Sequence, residues 1–163
     1  MNDPRGVSIT VEIEQKQFES NSVERGTIEI LKKDHYLLDT PSETVVVTGD
    51  TIQTWNKESN QLIIDQTIEG DFSIFNLLTG GFDSVVFREP NVQETQVSMN
   101  YNIPTMGYKG KINIKKNGQP IELKIQYGSN QYVTMKVLTF HHGNLSLYHK
   151  FNPSEVEVID LRE

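Results

Sequence analysis

The chain contains no cysteine. Disulfides, thiolate metal sites and cysteine nucleophiles are thereby excluded, and the absence suits a compartment where stray thiols oxidise. No apolar run approaches the roughly 18 residues that a membrane-spanning helix needs. Basic residues are in deficit, 15 Lys and Arg against 22 Asp and Glu, for a net charge of −7. Nucleic acid is therefore not expected as a partner, because phosphate binding depends on Lys and Arg. A Gly-rich phosphate loop, a GxSxG elbow and an HExxH pair are all missing. Convincing helical periodicity is confined to one short segment. No secretory leader precedes Met1, since Asn2-Asp3-Pro4-Arg5-Gly6 is no signal peptide; the protein is cytosolic, or a leader has been removed.

What remains is β-structure. The 163 residues are read as a single domain, 1–163, long enough to bury a real core. Val7, Ile9, Val11 and Ile13 alternate with Ser8, Thr10, Glu12 and Glu14, a half-buried strand that Phe18 extends and Asn21-Ser22 breaks. Strand two follows over 23–31, and short strands lie near 35–39 and 43–48. Gly49-Asp50 is a two-residue hairpin signal that pairs Val47 with Ile52 and Val45 with Thr54. After the Lys57-Glu58-Ser59-Asn60 loop, Trp55 stands opposite Leu62.

Asn117-Gly118 is a second hairpin turn. It pairs Ile114 with Ile121, Ile112 with Leu123 and Tyr108 with Tyr127, and Gly128-Ser129-Asn130 then sets Val133, Met135 and Val137 against Ile125, Leu123 and Ile121. Lys109, Lys111, Lys115, Lys116, Lys124 and Lys136 form a basic strand group. It reads either as a solvated sheet face or as a patch that meets an acidic partner or an anionic head group. A last edge strand holds Val156, Val158 and Leu161.

The exception to the β rhythm runs from Asp71 to Phe82. Asp71 as N-cap, Phe72, Phe75 and Leu78/Phe82 near one face, and Gly80 as a left-handed C-cap predict a greasy helix of about two turns. The fold class is thus mainly β: a partly open antiparallel β-barrel of about eleven strands, with one short helix as lid or plug.

Chemistry is sparse. His141 and His142 point to opposite strand faces, a Gly143-Asn144 turn sets His149 opposite Leu138, and His35 is remote, so no metal is expected. Carboxylates such as Glu12, Glu14 and Glu29 alternate outward onto a solvated face. A distant carboxylate pair of glycosidase type stays open from sequence, but the chain reads as a non-enzyme without a cofactor. The aromatic residues Phe18, Tyr36, Trp55, Phe72, Phe75, Phe82 and Phe87 either fill a barrel core or wall and lid a cavity for an apolar ligand.

VVVTGDTIQTWNKESNQLII resembles the central hairpin of the LolA-like lipoprotein carrier family. Gly26-Thr27-Ile28-Glu29-Ile30-Leu31-Lys32-Lys33 is similar to that family's Gly-led strand and basic pair. Phe151-Asn152-Pro153-Ser154-Glu155-Val156-Glu157-Val158-Ile159-Asp160 resembles its closing strand. The resemblance implies an unclosed β-barrel whose helices lid a hydrophobic cavity. It implies a periplasmic carrier that takes lipoprotein acyl chains or another lipid, passing them between membrane-bound donor and acceptor proteins toward the outer membrane. The alternative is a lipid- or lipoprotein-sensing regulatory or interaction domain of the same fold. Expected ligand contacts are Phe18, Ile30, Tyr36, Leu38, Val47, Trp55, Phe72, Phe75, Leu78 and Phe82. Lys33 stands where the family's lid-latching Arg would be, without the planar fork that bonds several carbonyls at once. The family's central aromatic cluster is reduced to Trp55, and its N-terminal helix has no counterpart here. Oligomeric state is open.

Overall fold

The computed structural model describes residues 5–162; the Asn2–Pro4 stretch read above lies outside them. In chain order the elements are β1 (Val7–Gln17), β2 (Ser20–Lys32), β3 (His35–Asp39), β4 (Glu43–Thr48), β5 (Thr51–Asn56), β6 (Gln61–Gln66), α1 (Ile74–Thr79), β7 (Val86–Phe87), β8 (Asn91–Val92), β9 (Gln96–Ile103), β10 (Tyr108–Lys115), β11 (Pro120–Gly128), β12 (Gln131–His142), α2 (Ser146–Lys150) and β13 (Glu157–Asp160). The strands form one sheet in the order β13-β6-β5-β4-β3-β2-β1-β12-β11-β10-β9-β7, with β8 on β9. The protein is therefore mainly β, with an open sheet and two short helices. The thirteen strands among the described residues exceed the expected eleven because β7 and β8 are two-residue pieces.

Two compact units divide the chain. The first comprises 1–10, 25–72 and 140–163, the second 11–24 and 73–139. In the first, Val7, Ile9, Ile28, Ile30, Leu37, Leu38, Val46 and Val47 are buried; in the second, Val11, Tyr101, Ile103, Ile112, Leu123, Ile125 and Met135 are. Core formation follows the period-2 alternation of the strands.

Hairpin registers agree with the turn chemistry. Val47 pairs Ile52, Val45 pairs Thr54 and Trp55 pairs Leu62. Ile112 pairs Leu123, which pairs Met135, and Ile125 pairs Val133. One expected pair fails: Ile114 lies opposite Pro120, because the ladder slips between Asn113 and Ile114.

Other expectations are corrected. Phe18 does not extend β1; it turns the chain at φ 55° and is 67% exposed, so the break falls there and not at Asn21-Ser22. Helix α1 starts at Ile74 with Ser73 as N-cap, not Asp71, because Asn76 Oδ1 accepts from Ser73 N–H at 2.7 Å and closes the turn. Gly80 does supply the left-handed cap, at φ 83°. His149 does not face Leu138, since residues 146–150 form α2, a helix the periodicity did not reveal. Strand β13 joins the sheet edge parallel to β6, Val158 opposite Leu62.

Candidate functional site

The ladders sort the first unit's side chains onto two faces. Ile30 pairs Tyr36, Tyr36 pairs Val47, and Val47 pairs Ile52; Ile28, Leu38, Val45 and Thr54 follow in the same parity. This face is apolar, and Ile28, Ile30, Leu38 and Val47 on it are buried. Burial also raises the Tyr36 hydroxyl above its ordinary pKa, so it stays a neutral, weakly polar wall. The opposite face carries Glu29, Leu37, Val46 and Gln53 in one row, and Asp39, Thr44, Trp55 and Leu62 in the next. Of the expected contacts, Ile30, Tyr36, Leu38 and Val47 thus share a face and Trp55 stands on the other.

Trp55 faces the segment that returns from β12 to β13. Helix α2 is seated by Glu29, whose carboxylate accepts the backbone N–H of Leu147 at 3.2 Å and of Tyr148 at 2.7 Å. These are donors that a helix start leaves without intrahelical partners. Glu29 is only 2% exposed, which corrects its outward assignment. The return is also fixed by Gly143 N–H to the carbonyl of Gly6 at 2.8 Å. Gly6 stands at φ 74°, with Ile30 O and the buried Leu145 filling the space a Cβ would take.

Between this segment and the sheet lies a cleft of about 460 Å³, lined by Leu37, Asp39, Thr44, Trp55, Leu147 and residues 150–154, within the range of small-ligand sites. Its floor is aromatic and aliphatic and one rim is ionic. Asp39 Oδ1 accepts from Thr44 Oγ1 at 2.6 Å and from Lys57 Nζ at 2.8 Å, and Lys57 also reaches the Thr40 carbonyl at 2.5 Å. The indole N–H of Trp55 donates to Asn60 Oδ1 at 3.2 Å, and Asn60 Nδ2 donates to the Glu155 carbonyl at 2.9 Å. The indole is thereby oriented by the segment that leads into β13, and Lys57 Nζ stands over its ring at 5.8 Å from the centroid.

In the second unit α1 lies against β11 with Ile74, Leu77 and Leu78 buried and Phe75 half-buried. An aromatic chain follows: Phe82 meets Phe87 edge-on at 5.4 Å, and Phe87 meets Tyr101 at 6.2 Å. Phe82 is 42% exposed. Phe72, the last residue of its segment of the first unit, is buried. Lys33 is exposed in the β2–β3 turn and bonds no partner among the described residues.

Leu37, Glu29 and Phe151 were not expected as site residues. Two signals point to the first two: Leu37-Leu38 is apolar at both parities of β3, and Glu29 sits between buried isoleucines in β2. Both mark strands covered on two faces.

No protein-family model and no curated protein sequence matches the chain. Its fold is similar to that of an uncharacterised conserved protein from Thermus thermophilus, at TM-score 0.62 and 13% identity over 96% of this chain and 91% of that one. A LolA superfamily protein from Nitrosomonas europaea and a candidate outer membrane lipoprotein-sorting protein domain from Vibrio parahaemolyticus each align at TM-score 0.49 and 5% identity, over 91% of both chains.

Proposed function

We propose that this protein is a periplasmic lipid carrier of the LolA-like kind. It takes lipoprotein acyl chains or another lipid against its apolar sheet surface and hands them from a membrane-bound donor to an acceptor. The observation that carries this reading is α1: a six-residue helix, capped by Gly80 at one end and held on β11 by Ile74, Leu77 and Leu78. A helix this short is not stable by itself, so it stays only while those side chains are buried. Their burial contributes about 5–9 kcal/mol together. A long acyl chain gains roughly 0.8 kcal/mol per buried methylene, about 10 kcal/mol for a dozen. Exchange of one for the other is favourable by only a few kcal/mol, which is what reversible loading and release require. The resemblances at 26–33, 45–64 and 151–160 support the same reading. Phe75 and Leu78 are the proposed ligand contacts on α1, Ile30, Tyr36, Leu38 and Val47 the apolar wall of the first unit, and Lys33 the proposed latch.

The test is binding of a fluorescent fatty acid to wild type and to Phe75→Glu. Affinity should fall at least tenfold in the variant while the far-UV spectrum is unchanged. Equal affinity would make α1 an ordinary core helix. Native mass spectrometry adds a second reading. Co-purifying lipid supports the carrier, whereas a protein that neither carries lipid nor binds the probe is the interaction domain instead.

A further inference from the structure

The polar face of β9, β10 and β11 is a basic depression, and we infer that it is a membrane-docking surface for anionic phospholipid headgroups. A hollow of about 470 Å³ is lined by Arg88, Lys109, Lys111 and Lys124, by side-chain amides and by the backbone at Gly110, and no carboxylate lines it. Lys111 pairs directly with Lys124, and Lys109 stands between Asn102 and Gln126 in the same parity. Like charges directly opposite on a sheet are destabilising, yet Arg88, Lys109 and Lys111 meet no carboxylate among the described residues. Among the described residues, the Lys124 ammonium finds only the face of the Tyr132 ring, 4.6 Å from its centroid, and the Tyr132 hydroxyl donates to Glu14 Oε1 at 3.1 Å. Folding alone does not favour this concentration of charge in a chain of net charge −7.

Two features select a bilayer as the occupant. Val86 pairs Asn102, so it shares the basic face, and it is 52% exposed. Tyr132 pairs Gln126 on that face too. Cations mixed with an exposed aliphatic and an aromatic side chain match the headgroup–acyl boundary, where apolar insertion and attraction to anionic lipid act together. Cations gathered on one face of a chain of net charge −7 make docking oriented as well as salt-sensitive. The inference is independent of whether the apolar face takes an acyl chain.

The experiment is co-sedimentation of the full chain with vesicles of phosphatidylcholine alone or with about 30–40% phosphatidylglycerol, an anionic content that builds a surface potential. The chain should sediment with the anionic vesicles at low salt and not with the neutral ones. Each lysine near the surface is worth about fivefold in partitioning, so Lys109→Gln/Lys111→Gln should bind about 25-fold more weakly. Arg25→Gln/Lys32→Gln, matched in charge but on β2 of the first unit, should lose much less. Equal losses in the two double variants, or no sedimentation with anionic vesicles, would overturn the proposal. So would saturable binding of inorganic phosphate without vesicle binding, which would make the hollow a small-anion site.

Discussion

Removing the Glu29 carboxylate is expected to release the return segment without unfolding the sheet. Glu29 is buried and accepts two backbone N–H groups, at 3.2 and 2.7 Å, from the start of α2. Hydrogen bonds to a charged group contribute about 1.5–3 kcal/mol each, and a carboxylate at a helix start adds roughly 0.3–1 kcal/mol. Glu29→Ala therefore costs about 3–7 kcal/mol, and Glu29→Gln, which keeps one acceptor oxygen, about 1–3 kcal/mol by the same accounting. A five-residue helix is marginal by itself, and its other ties are packing on β3 and the Tyr148 hydroxyl at 3.3 Å from Thr48 Oγ1. Detaching it costs less than global unfolding, which for a domain takes about 5–15 kcal/mol. The local route wins. Hydrogen exchange at residues 146–151 should accelerate by about two orders of magnitude or more in Glu29→Ala, with the β3–β4 amides still protected. Trp55 is the sole tryptophan and lines the cleft beneath this segment, so its emission should shift to the red. Unchanged exchange at Leu147 and Tyr148 in Glu29→Ala would refute the reasoning.

Gly110→Ala places a Cβ against the Lys124 carbonyl and the Tyr101 hydroxyl, which already bond each other at 2.7 Å. Because backbone is one of the obstacles, a loss of at least about 3 kcal/mol is expected in urea unfolding; a variant as stable as wild type would contradict this packing. Asp160 is held at a pKa of about 2, below its ordinary 3.8, first by the side-chain hydrogen bonds of Arg162. A depressed carboxylate contributes above its unfolded pKa and loses that contribution as pH falls through the folded one. The pair should thus persist down to pH 3.8 and break toward pH 2, followed by NMR titration of the Asp160 carboxyl, and Arg162→Ala should return the midpoint to near 3.8.

Local pattern was enough wherever a turn and its flanking strands carried their own instructions. Gly49-Asp50 and Asn117-Gly118 are turns whose backbone needs select those residues, and alternation on either side then fixes which side chains meet. Helix α2 escaped for the opposite reason. Its N-cap position is Leu145, which has no side-chain acceptor, and the acceptor comes from Glu29, 118 residues away from Leu147. No window of neighbouring residues contains that bond. The same distance hid the role of Glu29, whose alternation is that of a solvated residue until a helix is laid over it. The two faces of the first unit were legible only in part. Parity within β5 separates Trp55 from Ile52, but which face meets the return segment depends on where α2 settles. The basic group on β10 and β11 was visible as a run of lysines, while the pairing of Lys111 with Lys124 required the register.

The bond between Glu29 and α2 also orders events in time. A contact joining residues 118 apart in sequence carries a loop-closure cost that local hairpins do not, so it is expected to form after the hairpins between them have paired. Until then, a charged oxygen pair stands beside Leu37 and Val46 on the face that α2 later covers, keeping that surface wet and unattractive to other unfinished chains. Arrival of the helix start neutralises this safeguard, so the molecule turns its protected patch into packed interior only once the distal piece needed to cover it is present.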